Sequence, residues 1–324
     1  MNVRLLALAF AALAASTPAT VSATHVWIDT DPAIGSPFRE IDDGFALVLA
    51  FHSRELQIAG ISTTYGNSSL ATTTTVAEKL AREFGGVANV RSTDVYSGAS
   101  SATDFGKQTS ATEALASALR RRRLTYIALG PLTNLATFIR LHPFLISRID
   151  RIIFLGGKTD SNSIALGRKH TIHIHDANVF KDTAALRAVI DSKIPLTIVP
   201  IAVASRLTLN STDMQYLRAS GPAGSYLYDN ARAWLWFWTR IVGNEGGPVF
   251  DALAVVAATR PEMITTEVRE AAISAQGELI ASKLLHAQRR VVRWCRDFNP
   301  DAKTVLLERL ARRGGKPSTV TSGR

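Results

Sequence analysis

Four aspartates fall within fifteen residues near the start of the chain: Asp29 and Asp31 in DTDP, and Asp42 and Asp43 at the head of DDGFALVLA. Held together in a fold they would repel one another. A site of oxygen donors alone that gathers like charges calls for a hard cation, Ca²⁺ or Mg²⁺. An acidic turn facing water would need no ion. Here, however, Asp29 and Asp31 end a strand-like apolar run, and the carboxyl ends of strands are where α/β folds gather ligands.

Other segments place small or polar residues after an apolar run. Gly66-Asn67 follows ISTTY, Gly130-Pro131-Leu132-Thr133-Asn134 follows YIAL, and Gly156-Gly157 follows RIIFL. Asp251 comes after a Gly-Gly-Pro turn and starts a helical run over residues 252–258. Each alone reads equally well as a turn glycine, an N-cap aspartate or a capping threonine. In a parallel sheet all strand ends of one kind share an edge, so these residues can meet Asp31 and Asp43 there.

The elements that must do this positioning alternate along the chain. Residues 56–64, 124–129, 149–155 and 196–203 read as strands, with a weaker one over 91–97. Helical patterns cover residues 70–84, 111–121, 132–141, 180–192 and 212–242, with a closing helix over 304–312. Residues 268–292 look like an antiparallel meander. The alternation predicts an α/β fold with a mostly parallel central sheet and helices on both faces. We expect one domain over residues 24–313 and a flexible basic tail over 314–324. Residues 1–23 read as a secretory signal: Arg4, an apolar stretch from Leu5 to Ala15, and a small-residue cleavage site at Val21-Ser22-Ala23. That stretch is too short to span a bilayer. The expectation is a secreted or periplasmic protein without a membrane anchor.

The single cysteine, Cys295, can form no internal disulfide, so core packing must hold the fold. The formal net charge is +10. Its arginine clusters (residues 120–123, 289–296 and 312–313) lack any nucleic-acid motif or interleaved aromatic stripe. A solvated basic surface is the reading, with no nucleic-acid partner.

Taken together the motifs resemble the inosine-uridine-preferring nucleoside hydrolase family over roughly Val26 to Leu310. The resemblance rests on DTDP with DDGFALVLA and on ALGPLTNLA, supported by GISTTYGN, RIIFLGG, HDANVFKDTAALRAVIDSKIPLTIVP and VFDALAV. It implies a Rossmann-like fold, a tightly bound Ca²⁺, hydrolysis of ribonucleoside N-glycosidic bonds, and a homo-oligomer, dimer or tetramer. It further implies that Asp31 is the catalytic base and a calcium ligand. Asp43, Asp251 and the Thr133 carbonyl complete the metal site. Asp42 would bind a ribose hydroxyl. Asn67 and Asn178 would hold the ribose and the nucleophilic water, and Asp176 stands where the family usually has a glutamate.

The chain departs from this pattern in four places. The connection between Pro32 and Asp42 is long. Phe250 occupies the position at which many members carry a histidine proposed to protonate the base. Asp176 is one methylene shorter than glutamate. His170 falls where a second ribose asparagine is expected. His170, His173 and His175 admit a zinc reading, a packing role, or help in protonating the leaving group. Trp234, Trp236 and Trp238 read as core, with nucleobase stacking as the alternative. The overall expectation is a Ca²⁺-dependent nucleoside hydrolase favouring purine nucleosides. Its alternatives are a Mg²⁺ phosphohydrolase using Asp29 as nucleophile, and a nucleoside- or sugar-binding protein without turnover.

Overall fold

The computed structural model describes residues 23–36, 39–158, 164–166, 172–282 and 290–312, the backbone alone for 164–166 and 172–174. The signal segment up to residue 22, His170 and the basic tail over 314–324 lie outside the described residues. Nine strands form one sheet: β1 (Thr24–Thr30), β2 (Leu56–Thr63), β3 (Val95–Ser97), β4 (Leu124–Ala128), β5 (Ile149–Leu155), β8 (Leu196–Val199), β11 (Ile264–Ile273), β12 (Leu279–Ser282) and β13 (Arg290–Phe298). Two small antiparallel pairs stand apart from it: β6 (Ile164–Leu166) with β7 (Ile172–Ile174), and β9 (Thr208–Leu209) with β10 (Gly247–Pro248).

The strand order is β12-β11-β13-β8-β5-β4-β1-β2-β3. Every pairing from β13 to β3 is parallel. Only β11 runs against its neighbours β12 and β13. The chain leaves β1 toward β2 and β3, then returns to the other side of β1 as β4. The reversal opens a crevice beyond the carboxyl ends of β1 and β4, the usual ligand position in open α/β sheets.

Alternation along the strands supplies two cores. Val26, Ile28, Ile127, Ile153 and Val199 face one side of the sheet, and Trp27, Tyr126, Ile152, Phe154 and Ile198 face the other. On the first side α1 (Asp42–Phe51) and α10 (Phe250–Thr259) pack together with every residue buried. Helices this apolar all round belong inside a fold, not on its surface. Outside them lie α2 (Leu70–Phe84), α8 (Ser211–Ser220), α9 (Pro222–Trp236) and α11 (Asp301–Leu310). The other face carries α3 (Ser110–Arg121), α4 (Thr133–Leu141) and α6 (Thr183–Asp191). Two single-turn helices complete the set, α5 (Ala177–Phe180) and α7 (Ile201–Ala204).

Three local expectations are corrected. The strand read over 196–203 stops at Val199, because Pro200 has no N–H for the ladder and begins α7 instead. Residues 268–292 do not form a meander in chain order. β11 lies between β12 and β13, and β13 buries Val292, Trp294 and Cys295 beside β8. The helical run over 212–242 breaks at Gly221, and its last turn over Phe237–Ile241 is a π-helix. Cys295 is buried, and burial pushes its thiol up to about 12, so it is inert. Among the described residues no helix is long and apolar enough to cross a membrane.

Trp294 is fully buried where β13 joins the parallel sheet. We expect Trp294→Ala to destabilise the protein by about 3–5 kcal/mol in urea denaturation, the cost of a large-to-small change in a core. A loss below about 1 kcal/mol would mean that β13 is not integral to the sheet.

Candidate active site

Three of the acidic residues sit in the first turns of helices. Asp42 and Asp43 open α1, and Asp251 is the second residue of α10. Helix N-termini leave backbone N–H groups unpaired and carry partial positive charge, which favours carboxylates. The two helices share this arrangement: the Asp251 N–H donates to Asp42 Oδ2 at 3.2 Å. Carboxylate oxygens of Asp42, Asp43 and Asp251 lie within 4.8 Å of one another.

Asp31 follows β1 directly and is bound into the same group. Its N–H donates to Asp43 Oδ1 at 3.0 Å, and the Thr30 hydroxyl donates to the same oxygen. Asn67, in the turn after β2, fastens both acids. Its N–H donates to Asp31 Oδ2 at 2.7 Å and its Nδ2 to Asp43 Oδ2 at 2.8 Å. Asp31 Oδ1 is buried with no hydrogen-bond partner. The turn after β4 runs against this oxygen, since a Cβ on Gly130 would stand 2.9 Å from it. Thr133, three residues on, is buried at the start of α4, with its hydroxyl donating to Asp182 Oδ2 at 2.6 Å.

Electrostatically the cluster is unstable as four anions. Burial first, and then the Asp43 charge, hold the Asp31 and Asp42 carboxyls well above their ordinary range. Burial followed by Asp42 and Asp43 does the same for Asp251. Burial raises Asp43 too, against the hydrogen bonds it accepts. A cation among these oxygens would reverse the balance. The donors fit one: all are oxygens, three carboxylates converge, and the Asp31 oxygen is orphaned beside them. Among the described residues no other such group occurs.

A cavity of about 100 Å³ opens over this floor. It is lined by Asp42, Asn67 and Asp251 below, by Asn178, Phe250 and Glu40 on the walls, and by His175 and Ala177 at its exposed mouth. Asn178 Nδ2 donates to the Leu129 and Leu155 carbonyls, tying α5 to the ends of β4 and β5. Asp176 also reaches the wall, as the N-cap of α5. Its Oδ1 accepts from the N–H groups of Asn178 and Val179, and its Oδ2 from that of Gly157. Burial pushes it up to about 6. The structure thus brings Asp31, Asp42, Asp43, Asn67 and Asp251 together at the floor, and Asp176 and Asn178 onto the wall, while the Thr133 hydroxyl turns to Asp182.

Asp29 is separate. It is buried behind the site, accepting from Ser62 Oγ at 2.5 Å and Asn134 Nδ2 at 2.8 Å, and burial pushes it up to about 6. Asp29 is held by Ser62 and Asn134 outside the converging carboxylates of Asp42, Asp43 and Asp251, and nothing about its placement supports the reading of it as a phosphohydrolase nucleophile. The tryptophans divide. Trp236 is exposed, while Trp234 and Trp238 are buried and pack on Phe45 and Phe250. None of the three tryptophans lines the cavity; the benzene ring that does is Phe250.

Sequence reasoning missed Glu40. Its Oε2 accepts from Trp234 Nε1 at 2.9 Å and its Oε1 from Trp238 Nε1 at 3.1 Å. Burial pushes it up to about 7. A signal was available: two tryptophans at i and i+4 share a helical face, and their N–H groups need an acceptor when buried. Nothing in the sequence said that the acceptor would come from the loop before α1.

The family profile described as inosine-uridine preferring nucleoside hydrolase matches residues 26–305. Uridine nucleosidase 1 of Arabidopsis thaliana is 28% identical over 283 residues, 80% of this chain and 80% of its own. A pyrimidine-specific ribonucleoside hydrolase of Salmonella paratyphi A is 26% identical over 289 residues, 79% of this chain and 86% of its own. Among solved structures, a plant nucleoside hydrolase superposes with a TM-score of 0.75 at 24% identity, covering 89% of this chain and 99% of its own. A purine-preferring ribonucleoside hydrolase of Gardnerella vaginalis gives 0.74 at 20% identity, covering 89% and 98%.

Gly66 lets the turn after β2 pass over the acids. A Cβ there would overlap Asp31 Oδ2. We expect Gly66→Ala to keep the far-ultraviolet circular dichroism of the parent and to lower turnover by at least ~10²-fold, since small displacements of catalytic groups are that costly. Turnover within a few-fold of the parent would show that the floor tolerates displacement of Asp31.

Proposed function

The chain belongs to the inosine-uridine preferring nucleoside hydrolase family, and from that premise we propose a Ca²⁺-dependent hydrolysis of ribonucleosides to ribose and free base, with purine nucleosides favoured. The observation that carries the reading is the floor of the cavity, where three buried carboxylates converge beside an Asp31 oxygen that no protein group satisfies. Asp31, Asp43, Asp251 and the Thr133 carbonyl are the proposed ligands, and Asp42 the ribose contact. A calcium ion held there would acidify the attacking water and grip the ribose diol.

The protein's own groups do the rest. Asp31, tethered through one oxygen by the Asn67 N–H, accepts the proton of the attacking water with the other. The Asn67 side chain holds Asp43 in place. Asp42 lines the cavity where a sugar hydroxyl would meet it. Breaking the bond at the anomeric carbon builds positive charge on the sugar, and negative charge beneath the ring stabilises it. Phe250 gives the nucleobase an apolar face, and the larger face of a purine gains more from it. The relatives do not decide the base, since their names include uridine, pyrimidine-specific and purine-preferring enzymes. The signal-like N-terminus supports export, which would set the enzyme to work on nucleosides outside the cytoplasm. The resemblance supports a homo-oligomer.

The test is a nucleoside panel assayed for reducing sugar, with chelator and metal add-back. We expect inosine to exceed uridine in kcat/KM, chelator to abolish turnover, and Ca²⁺ to restore it. Stoichiometric zinc without calcium in the purified protein would remove the metal assignment, and a clear uridine preference the purine one. Asp31→Asn should stay folded yet lose at least ~10³-fold in kcat, roughly 4 kcal/mol of barrier, because an amide cannot take the proton. Near-normal turnover in that variant would exclude Asp31 as the base.

A further inference from the structure

We propose that His175 is the proton donor to the departing nucleobase, an inference that rests on the nucleoside hydrolase reading. Cleaving the bond to the base leaves the electron pair on the base, which departs poorly as an anion, so a positioned acid is expected near the mouth of the cavity. The sugar is confined to the floor by the carboxylates, and the base therefore projects toward the mouth. Phe250 lines the wall there and has no proton to give.

The remaining wall groups are accounted for. Both oxygens of Glu40 accept indole N–H groups, and both oxygens of Asp176 accept backbone N–H groups. The Asn178 amide donates to two backbone carbonyls. His175 is the one imidazole lining the cavity among the described residues, and its side chain is exposed at the mouth. Its ring stacks on Phe180 at 5.6 Å between centroids, which gives it a seat. Its nitrogens make no hydrogen bond to the described residues. Imidazole is also the side chain that exchanges protons near neutral pH.

The charged groups around it come from two sides. Glu40, Asp42 and Asp251 share its cavity. Lys158, Asp176 and Glu278 line a second cavity, of about 160 Å³, that His175 also borders. Lys158 is itself paired with Glu278. In the balanced step, water oxygen bonds to the anomeric carbon as the carbon–nitrogen bond breaks. The water proton passes to Asp31, and the base leaves with the bonding pair and a proton from His175, which solvent then replaces.

The test compares inosine with 4-nitrophenyl β-D-ribofuranoside, whose leaving group needs no proton. We expect His175→Ala to lower kcat on inosine by about 10²-fold or more, in the range of general acid catalysis. Turnover of the nitrophenyl riboside should stay within about threefold, and added imidazole should restore part of the inosine rate. The alkaline limb of the inosine pH–rate profile, where a proton donor is lost, should flatten in the variant. Unchanged inosine turnover, or an equal loss on both substrates, would overturn the role. So would a loss confined to inosine in Glu40→Gln but not in His175→Ala, which moves the donor to Glu40. A parent protein that cleaves neither substrate would instead defeat the nucleoside hydrolase reading itself.

Discussion

Four carboxylates are held out of water in one place, and the architecture around them answers to their mutual repulsion. Desolvation and like charge both oppose ionisation of Asp31, Asp42, Asp43 and Asp251. The fold offsets this with what a backbone can offer: two helix N-termini aimed at one point, and N–H groups from Asp31, Asn67 and Asp251. What the backbone leaves undone is visible as the unpartnered Asp31 oxygen. An unpartnered carboxylate oxygen beside three converging carboxylates fits a site that a ligand completes.

The division of labour between floor and wall follows from the sheet. The floor is contributed by the end of β1, the turn after β2 and the first turns of the buried helices α1 and α10. The wall comes from the loop before α1, the segment around α5, and Phe250 at the head of α10. Glu40 ties the first of these to α9 and the π-turn after it by bridging the indoles of Trp234 and Trp238. Trp238 in turn stands edge-on to Phe250, the residue before Asp251. Changes in the wall would therefore alter selectivity while leaving the charged floor in place.

The floor was legible in the sequence because periodicity and strand-end chemistry are local. DTDP after an apolar run, DDG before one, and GN and GPLTN at other strand ends landed at the carboxyl edge of the parallel sheet, with FD at the start of α10. The wall was not legible, because it depends on how irregular segments meet. No spacing rule joins Glu40 to tryptophans some 200 residues away, or brings the Gly157 N–H onto the second oxygen of Asp176. The strand order at the β13 edge escaped for the same reason: a run of β-forming residues predicts strands, not which of them inserts beside β8. Pro200 could have been read as a stop, since the chemistry that ends β8 there is local.

The bond from the Asp251 N–H to Asp42 spans 209 positions of sequence. That separation has a meaning for biosynthesis. A ribosome must add most of the polypeptide before the acids opening α1 can find their counterpart on α10. Until then α1, buried along its whole length in the finished fold, has α2 beside it but neither α10 nor α11. Closure over so long a loop is slow relative to local helix formation. A product terminated before α10 lacks Asp251, and with it one of the three converging carboxylates.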